Sequence, residues 1–277
     1  MFYSSYGKYN KKHPYHIVQI SPWPFFLSIG LFCLTSGFVL YMHGYVYNSL
    51  VLFFGLFITV LTVFNWFRDI IREATFEGNH TYKVRNGLRI GMILFILSEA
   101  MLFISFFWAF FHSSLSPSTV FGCTWPPKEL ELLIVDPYYI PLLNTLLLVT
   151  SGLTVTVSHA SLRSGDLNKA LDYLLITVFL GIFFTLLQVG EYFNAYFDIS
   201  DSVYGSVFFL ITGFHGSHVI VGTIFLIVNY IRMKSIHFAK EAHIGYELAI
   251  WYWHFVDVIW LFVYVFLYIW VDYNVLS

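Results

Sequence analysis

Seven long apolar stretches, and the uneven placement of basic residues between them, most constrain how this 277-residue chain can fold. Each stretch has about 18 or more residues, the length that a helix needs to cross roughly 30 Å of hydrocarbon. The chain is therefore predicted to be an all-α integral membrane protein with seven transmembrane helices. The predicted spans are Phe25 to Met42, Leu50 to Phe67, Ile90 to Phe111, Leu142 to Leu162, Leu171 to Tyr192, Tyr204 to Ile231 and Gly245 to Trp270.

The basic residues fall almost entirely on one side of such a seven-helix chain. All but one of the 14 lie before the first span or after the second, fourth and sixth spans, and only Lys128 lies in a segment on the other side. Because positive residues are retained on the cytoplasmic or matrix side during insertion, we predict that the N-terminus lies inside and the C-terminus outside. The residues on the inner side are Lys8, Lys11, Lys12, Arg68, Arg72, Lys83, Arg85, Arg89, Arg163, Lys169, Arg232, Lys234 and Lys240.

The composition excludes a soluble globular protein. Charged residues make up 11% of the chain, against about 25% in an ordinary globular domain, and aromatic residues reach 21%. The formal net charge of −2 gives no reason to propose a nucleic-acid partner. No cleavable presequence is recognisable near the N-terminus, so we expect synthesis in the compartment whose membrane the chain enters. That compartment belongs to a bacterium or to an organelle with its own genome.

The connections divide the chain into four parts. Residues 1–24 form an inner-side N-terminal arm, residues 25–67 carry transmembrane helices 1 and 2 as a hairpin, residues 68–89 form a charged inner connection, and residues 90–271 carry helices 3–7. Within the connection, Arg68 to Glu73 reads as a helical extension at the inner interface, where basic groups can meet lipid phosphates. No internal repeat is obvious, which weakens a transporter built from inverted halves.

Glu99 lies in the middle of the third predicted span, within Leu97 to Met101. An ionised carboxylate at that depth costs at least about 2.5–3.5 kcal/mol on insertion scales. The residue is either a reactive, proton-exchanging carboxyl or a neutral acid that is hydrogen-bonded to a neighbouring helix. Both interpretations remain open on these grounds.

Two further groups of polar residues lie at membrane depth. His215 and His218, three residues apart on one helix face, could ligate a metal or haem, or could bond carbonyls and hydroxyls across a helix interface. His254 and Asp257 have the same spacing and could form either a proton relay or a paired structural contact. We interpret the four residues as a structural polar seam and expect them to bind no metal, because two ligands do not make a site.

A series of motifs identifies the chain as similar to subunit III of the haem–copper cytochrome c oxidases. The resemblance runs from about Tyr15 to Trp270 and follows the family in order. The motifs are Ser21 to Pro24, Trp66 to Glu73, Gly91 to Glu99, Phe107 to Phe110, Trp125 to Pro127, Pro141 to Thr145, Phe184 to Gln188, Thr212 to Gly216 and Trp251 to Leu261.

The resemblance implies a subunit without haem or copper of its own in a complex that reduces oxygen to water and pumps protons. Its partners would be a catalytic haem–copper subunit and a copper-bearing subunit that receives electrons from cytochrome c. In the family the first two helices splay from the other five, and the cleft binds phospholipid. The position of Glu99 matches a carboxyl that reacts with carbodiimides, while Glu73 and His80, with Arg72 in the same segment, lie near lipid headgroups. The implied location is the mitochondrial inner membrane, with an organelle-encoded gene, or a bacterial plasma membrane.

Other classes of membrane protein fit less well. A transporter or proton channel would use the intramembrane acids and histidines, and it would purify and act alone. A seven-helix receptor would place its N-terminus outside, against the charge pattern. A catalytic haem subunit needs more histidines at membrane depth than this chain carries. Within the resembled family, a quinol oxidase remains an alternative to a cytochrome c oxidase.

Overall fold

The computed structural model describes residues 13–45, 48–119, 122–131 and 133–276, and within these ranges its regular structure is helical. Seven spans are long and apolar enough to cross a membrane, which confirms the predicted all-α, seven-span architecture for the described residues. Lys8, Lys11 and Lys12, which contribute to the charge argument, lie outside those residues. The elements are α1 (Trp23–Met42), α2 (Asn48–Thr75), α3 (Tyr82–Leu115), α4 (Ile140–Ser164), α5 (Leu167–Asn194), α6 (Val203–Lys234), α7 (Ile244–Val263), a π-helical segment (Tyr264–Ile269) and α8 (Trp270–Leu276).

The helices extend beyond the apolar runs that predicted them. The helical extension expected after the second span is present, since α2 continues to Thr75. Helix α3 begins at Tyr82, well before the apolar run that starts at Ile90, because the basic segment in between also takes helical conformation. The connection between α2 and α3 is therefore confined to residues 76–81. Hydropathy finds the part of a helix that lies in hydrocarbon, not the turns that extend past it.

The described residues separate into two compact units, the first ending at Leu88 and the second beginning at Arg89. The first unit contains the antiparallel hairpin of α1 and α2, whose backbones come close together at glycines. A Cβ on Gly37 would lie 2.6 Å from the backbone nitrogen of Leu52, so no larger residue fits there without separating the helices. Trp23 Nε1 also donates a hydrogen bond to Asp69 Oδ2 across the hairpin, at 2.7 Å.

The second unit is held together by a ladder of hydrogen bonds between aromatic residues of α7 and hydroxyl residues of α4. Tyr246, Trp253 and Trp260 recur every seven residues and therefore share one face of α7. The corresponding bonds run in the opposite direction along α4, so the two helices are antiparallel. Tyr246 donates to Ser158 Oγ at 2.6 Å, Trp253 to Ser151 Oγ at 2.9 Å and Trp260 to Thr145 Oγ1 at 2.9 Å.

Trp253 is the packing centre of this second unit. Its indole is fully buried, at 0% exposure. A Cβ on Gly181 of α5 would lie 2.7 Å from Trp253 Cη2, and one on Gly222 of α6 would lie 3.0 Å from Cε3. Two glycines on different helices thus leave the space that the ring occupies, and Trp253 joins α4, α5, α6 and α7.

Helix α3 is far less buried than the last membrane span. In the most apolar part of α3 only 6% of the residues are buried inside the structure, against 44% in the corresponding part of the span from Ile244 to Tyr273. The exposed face of α3 carries large apolar side chains, including Trp108, which is 74% exposed. Such a face suits contact with lipid or with a neighbouring membrane subunit.

Candidate functional site

The intramembrane carboxyl of Glu99 is paired with a histidine. Glu99 on α3 and His218 on α6 approach to 2.8 Å between Oε2 and Nε2. The other ring nitrogen, Nδ1, lies 2.6 Å from the carbonyl oxygen of Phe214. The imidazole also contacts the ring of Phe103 edge-on, with centroids 5.1 Å apart. The sequence around Glu99 suggests a carboxyl that is isolated among apolar side chains. In the structure it has a polar partner, His218, on another helix.

The two bonds of His218 define where protons lie. The carbonyl of Phe214 can only accept a hydrogen bond, so Nδ1 must carry a proton. Nε2 then either accepts a hydrogen bond from the O–H of a neutral Glu99 or, as part of an imidazolium, donates one to a carboxylate. Both arrangements place one proton between the two groups and leave the pair with no net charge. The pairing lowers the cost of keeping a carboxyl at this depth.

His215 points away from this pair, although it is only three residues from His218. Its side chain is 0% exposed, and Nε2 donates to the carbonyl oxygen of Val256 on α7 at 3.2 Å. The ring packs against Trp260, with centroids 5.0 Å apart. The two imidazoles therefore serve two different helix interfaces and do not converge on a common point.

His254 and Asp257 lie near one another at the interface of α7 with α4. His254 Nδ1 is 3.8 Å from Asp257 Oδ2, and its Nε2 is 3.3 Å from Thr156 Oγ1. A Cβ on Gly152 would lie 2.6 Å from Asp257 Oδ2, so this glycine leaves room for the carboxyl. Among the residues that the structure describes, no group of three or more His, Cys, Asp or Glu side chains is placed to hold a metal ion.

Arg72, Glu73 and His80 lie around the connection between α2 and α3, in the first unit. Arg72 is exposed in the last turn of α2, and the carbonyl of Glu73 accepts a hydrogen bond from Asn79 at 3.0 Å. The ring of His80 lies 5.9 Å from that of His16, between centroids. Part of the N-terminal arm therefore contacts the segment that the sequence assigned to headgroups.

Two polar contacts were not predicted. Arg89 and Glu247 form an ion pair at 2.8 Å between α3 and α7. Glu191, only 3% exposed, accepts hydrogen bonds on Oε1 from Tyr268 at 2.6 Å and from Gln188 at 3.2 Å. The spacing of Gln188 and Glu191 within an apolar span was visible in the sequence and could have indicated a buried polar contact.

Comparison with known protein families gives a match that covers most of the chain. The family model described as "Cytochrome c oxidase subunit III" matches residues 13–272. This chain belongs to that family. It is accordingly a subunit of the respiratory terminal oxidase, an oxidoreductase complex in which subunit III carries no redox centre.

Similar proteins, each named cytochrome c oxidase subunit 3, occur in animals and in a fungus. The protein of Pisaster ochraceus is 54% identical over 260 residues, which cover 94% of this chain and 98% of the relative. The protein of Allomyces macrogynus is 53% identical over 258 residues, 93% of each chain. The protein of Drosophila melanogaster is 52% identical over 261 residues, 94% of this chain and 98% of the relative. The subunit III assignment thus covers nearly all of the chain.

Proposed function

We propose that this chain is a non-catalytic core subunit that supports the haem–copper catalytic subunit and binds phospholipid, within an assembly that also contains the copper-bearing electron-entry subunit. The observation that carries the proposal is the bonding of the intramembrane histidines. Both ring nitrogens of His218 form hydrogen bonds, one with Glu99 and one with the Phe214 carbonyl. His215 forms a hydrogen bond with the backbone of α7. These imidazoles join helices, which is the work of a structural subunit.

The proposed location is the mitochondrial inner membrane, with the gene in the organelle. Relatives from animals and a fungus support a mitochondrial source. The exposed apolar face of α3, with Trp108 among its residues, supports contact with other subunits of the oxidase or with lipid. We propose that the basic connections face the matrix, since they carry nearly all of the positive charge.

The lipid-binding part of the proposal rests on the inner connection of the first unit. Arg72 is exposed at the end of α2, where a headgroup phosphate is expected. Lys83 Nζ lies 5.8 Å from the centre of the Tyr15 ring, which adds a second positive charge to the same segment. Thr81 donates a hydrogen bond to the carbonyl of Pro14 and ties the arm to this surface. We propose that Arg72 and His80 bind the phosphate of an anionic phospholipid beside Glu73.

Replacing Arg72 by glutamine is expected to weaken retention of anionic phospholipid by about fivefold, because a basic residue near the membrane surface contributes about 1 kcal/mol. Lipids retained by the purified oxidase are counted by native mass spectrometry during stepwise delipidation. Lys128→Gln, on the other side of the membrane, is the matched control and should leave retention unchanged.

Equal retention in the Arg72 and Lys128 variants would refute the inner lipid site. The sidedness is checked in the same preparation before delipidation. Cys123 is a free, exposed thiol, and a reagent that does not cross the membrane should label it only from the outer side. Labelling from the matrix side would reverse the proposed orientation.

A further inference from the structure

The second unit contains a cavity at the end of two spans, which we name the outer pocket. It has a volume of about 200 Å³ and lies where α4 begins and α5 ends. Its polar and aromatic lining residues are Asp136, Tyr139, Glu191, Asn194 and Tyr196. On the predicted topology this end of the spans faces the same side as the loop that carries Lys128.

One carboxyl oxygen of Glu191, a residue that lines the outer pocket, has no hydrogen-bond partner among the described residues. Oε1 already accepts from Tyr268 and Gln188. Oε2 is buried and has no hydrogen-bond partner among the described residues, although the residue is only 3% exposed and lines the cavity. Buried carboxyl oxygens are nearly always bonded, so this atom calls for a donor that enters from the pocket.

The lining of the outer pocket is suited to a cation. Two carboxyl groups, those of Asp136 and Glu191, line it, and no Lys, Arg or His is among the described residues that line it. Asn194 Nδ2 donates a hydrogen bond to the carbonyl oxygen of Gly190, which leaves the amide oxygen of Asn194 as an acceptor. Tyr139 and Tyr196, which are 75% and 81% exposed, add aromatic faces, which attract ammonium groups.

A primary ammonium fits these groups better than a quaternary one. Three N–H donors can reach Glu191 Oε2 together with a second acceptor, whereas a quaternary ammonium has no donor for a buried carboxyl oxygen. The pocket also lies at the junction between span and loop, the depth of lipid headgroups, where tyrosines are common.

We propose that the outer pocket binds the primary ammonium group of a phospholipid headgroup of the ethanolamine class, with Glu191 Oε2 as its anionic acceptor. The lipid phosphate remains outside the pocket, and the acyl chains lie along the ends of α4 and α5. The inference depends on the membrane placement of this family and is separate from the inner phosphate site, which lies on the first unit and selects the opposite headgroup charge.

The experiment compares headgroup retention in the intact oxidase. Complexes with the natural chain, Glu191→Gln or Ala195→Leu are placed in bilayer discs of phosphatidylethanolamine, phosphatidylcholine or phosphatidylglycerol, and the lipids kept after detergent extraction are counted by native mass spectrometry. Glu191→Gln removes the anionic acceptor, while Ala195→Leu fills the pocket and leaves the carboxyl in place. Asp198→Asn, an exposed acid near the same end, is the matched control.

Both pocket variants should lose one tightly held ethanolamine lipid, and the Asp198 variant should keep it. Phosphatidylglycerol retention should not change in any of them, whereas loss of the inner lipid site would lower it. Equal ethanolamine-lipid counts in all four complexes would overturn the proposal. So would choline lipids retained as tightly as ethanolamine lipids, or a density map with a lysine of a neighbouring subunit in the pocket. If the Gln variant fails to assemble, the Ala195→Leu complex decides the result alone.

Discussion

Trp253→Ala should lower the free energy of unfolding of this chain by about 3–5 kcal/mol, the usual cost of truncating a large, fully buried aromatic residue. The ring is 0% exposed and fills the space between Gly181 and Gly222. Its removal also leaves the hydroxyl of Ser151 without its indole donor. Unfolding of the separated chain by dodecyl sulfate in mixed micelles, followed by circular dichroism, measures the change. Trp108→Ala, at a site 74% exposed, should cost far less.

The opposite change tests the same packing. Gly181→Ala places a Cβ 2.7 Å from the Trp253 ring and 2.8 Å from Thr223 Oγ1, and overpacking of this kind costs about 1–3 kcal/mol. Gly190→Ala on the same helix meets no neighbouring atom within 4 Å and should be neutral or slightly stabilising. If the two alanine variants unfold at the same denaturant concentration, Trp253 is not the packing centre of the second unit.

A lipophilic carbodiimide should label Glu99 ahead of the other acids among the 16 Asp and Glu residues of the chain. Carbodiimides react with the neutral carboxyl, and one proton lies between Glu99 and His218 at membrane depth, where water that would hydrolyse the adduct is scarce. Glu99→Gln should abolish the label while the oxidase still transfers electrons. Peptide mapping by mass spectrometry after labelling locates the modified residue.

The His218→Leu variant tests whether the labelling of Glu99 depends on its pairing with His218 or only on its depth in the membrane. Without the imidazole, Glu99 can no longer form the carboxylate–imidazolium arrangement, so the neutral acid predominates and labelling should be faster. Asp257→Asn is the matched control, because it changes an acid in the same unit that contacts neither residue of the pair. Slower labelling of the His218 variant, or label that moves to Asp257, would contradict the pairing.

Much of the architecture could be predicted from the sequence, because the bilayer imposes it. Seven apolar runs must become helices, and basic residues such as Arg68 and Arg72 favour the inner side of the membrane for the connection between α2 and α3, which stays a prediction. Hydropathy finds the apolar run from Ile90 but not the start of α3 at Tyr82, since the part of a helix that leaves the hydrocarbon shows no hydropathy signal.

The contacts of the polar groups could not be predicted in the same way. Glu99 and His218 are 119 residues apart, and their meeting depends on which helices are neighbours and how each is rotated. The same holds for Glu191 and Tyr268, which are 77 residues apart. The seven-residue spacing of Trp253 and Trp260 indicates a common helix face but does not identify α4 as its partner. Local pattern defines the faces of a helix, and packing decides which faces meet.

The most direct test of the account is where haem and copper remain when this chain is separated from the oxidase. A tagged chain purified in mild detergent should bring haem-bearing and copper-bearing subunits with it, and the absorption spectrum should be that of the oxidase. After the chain is stripped off with stronger detergent, metal analysis and the spectrum should show all haem and copper in the remaining complex, which still oxidises its donor. Haem, or stoichiometric copper, iron or zinc, held by the separated chain through His215, His218 or His254 would contradict the account.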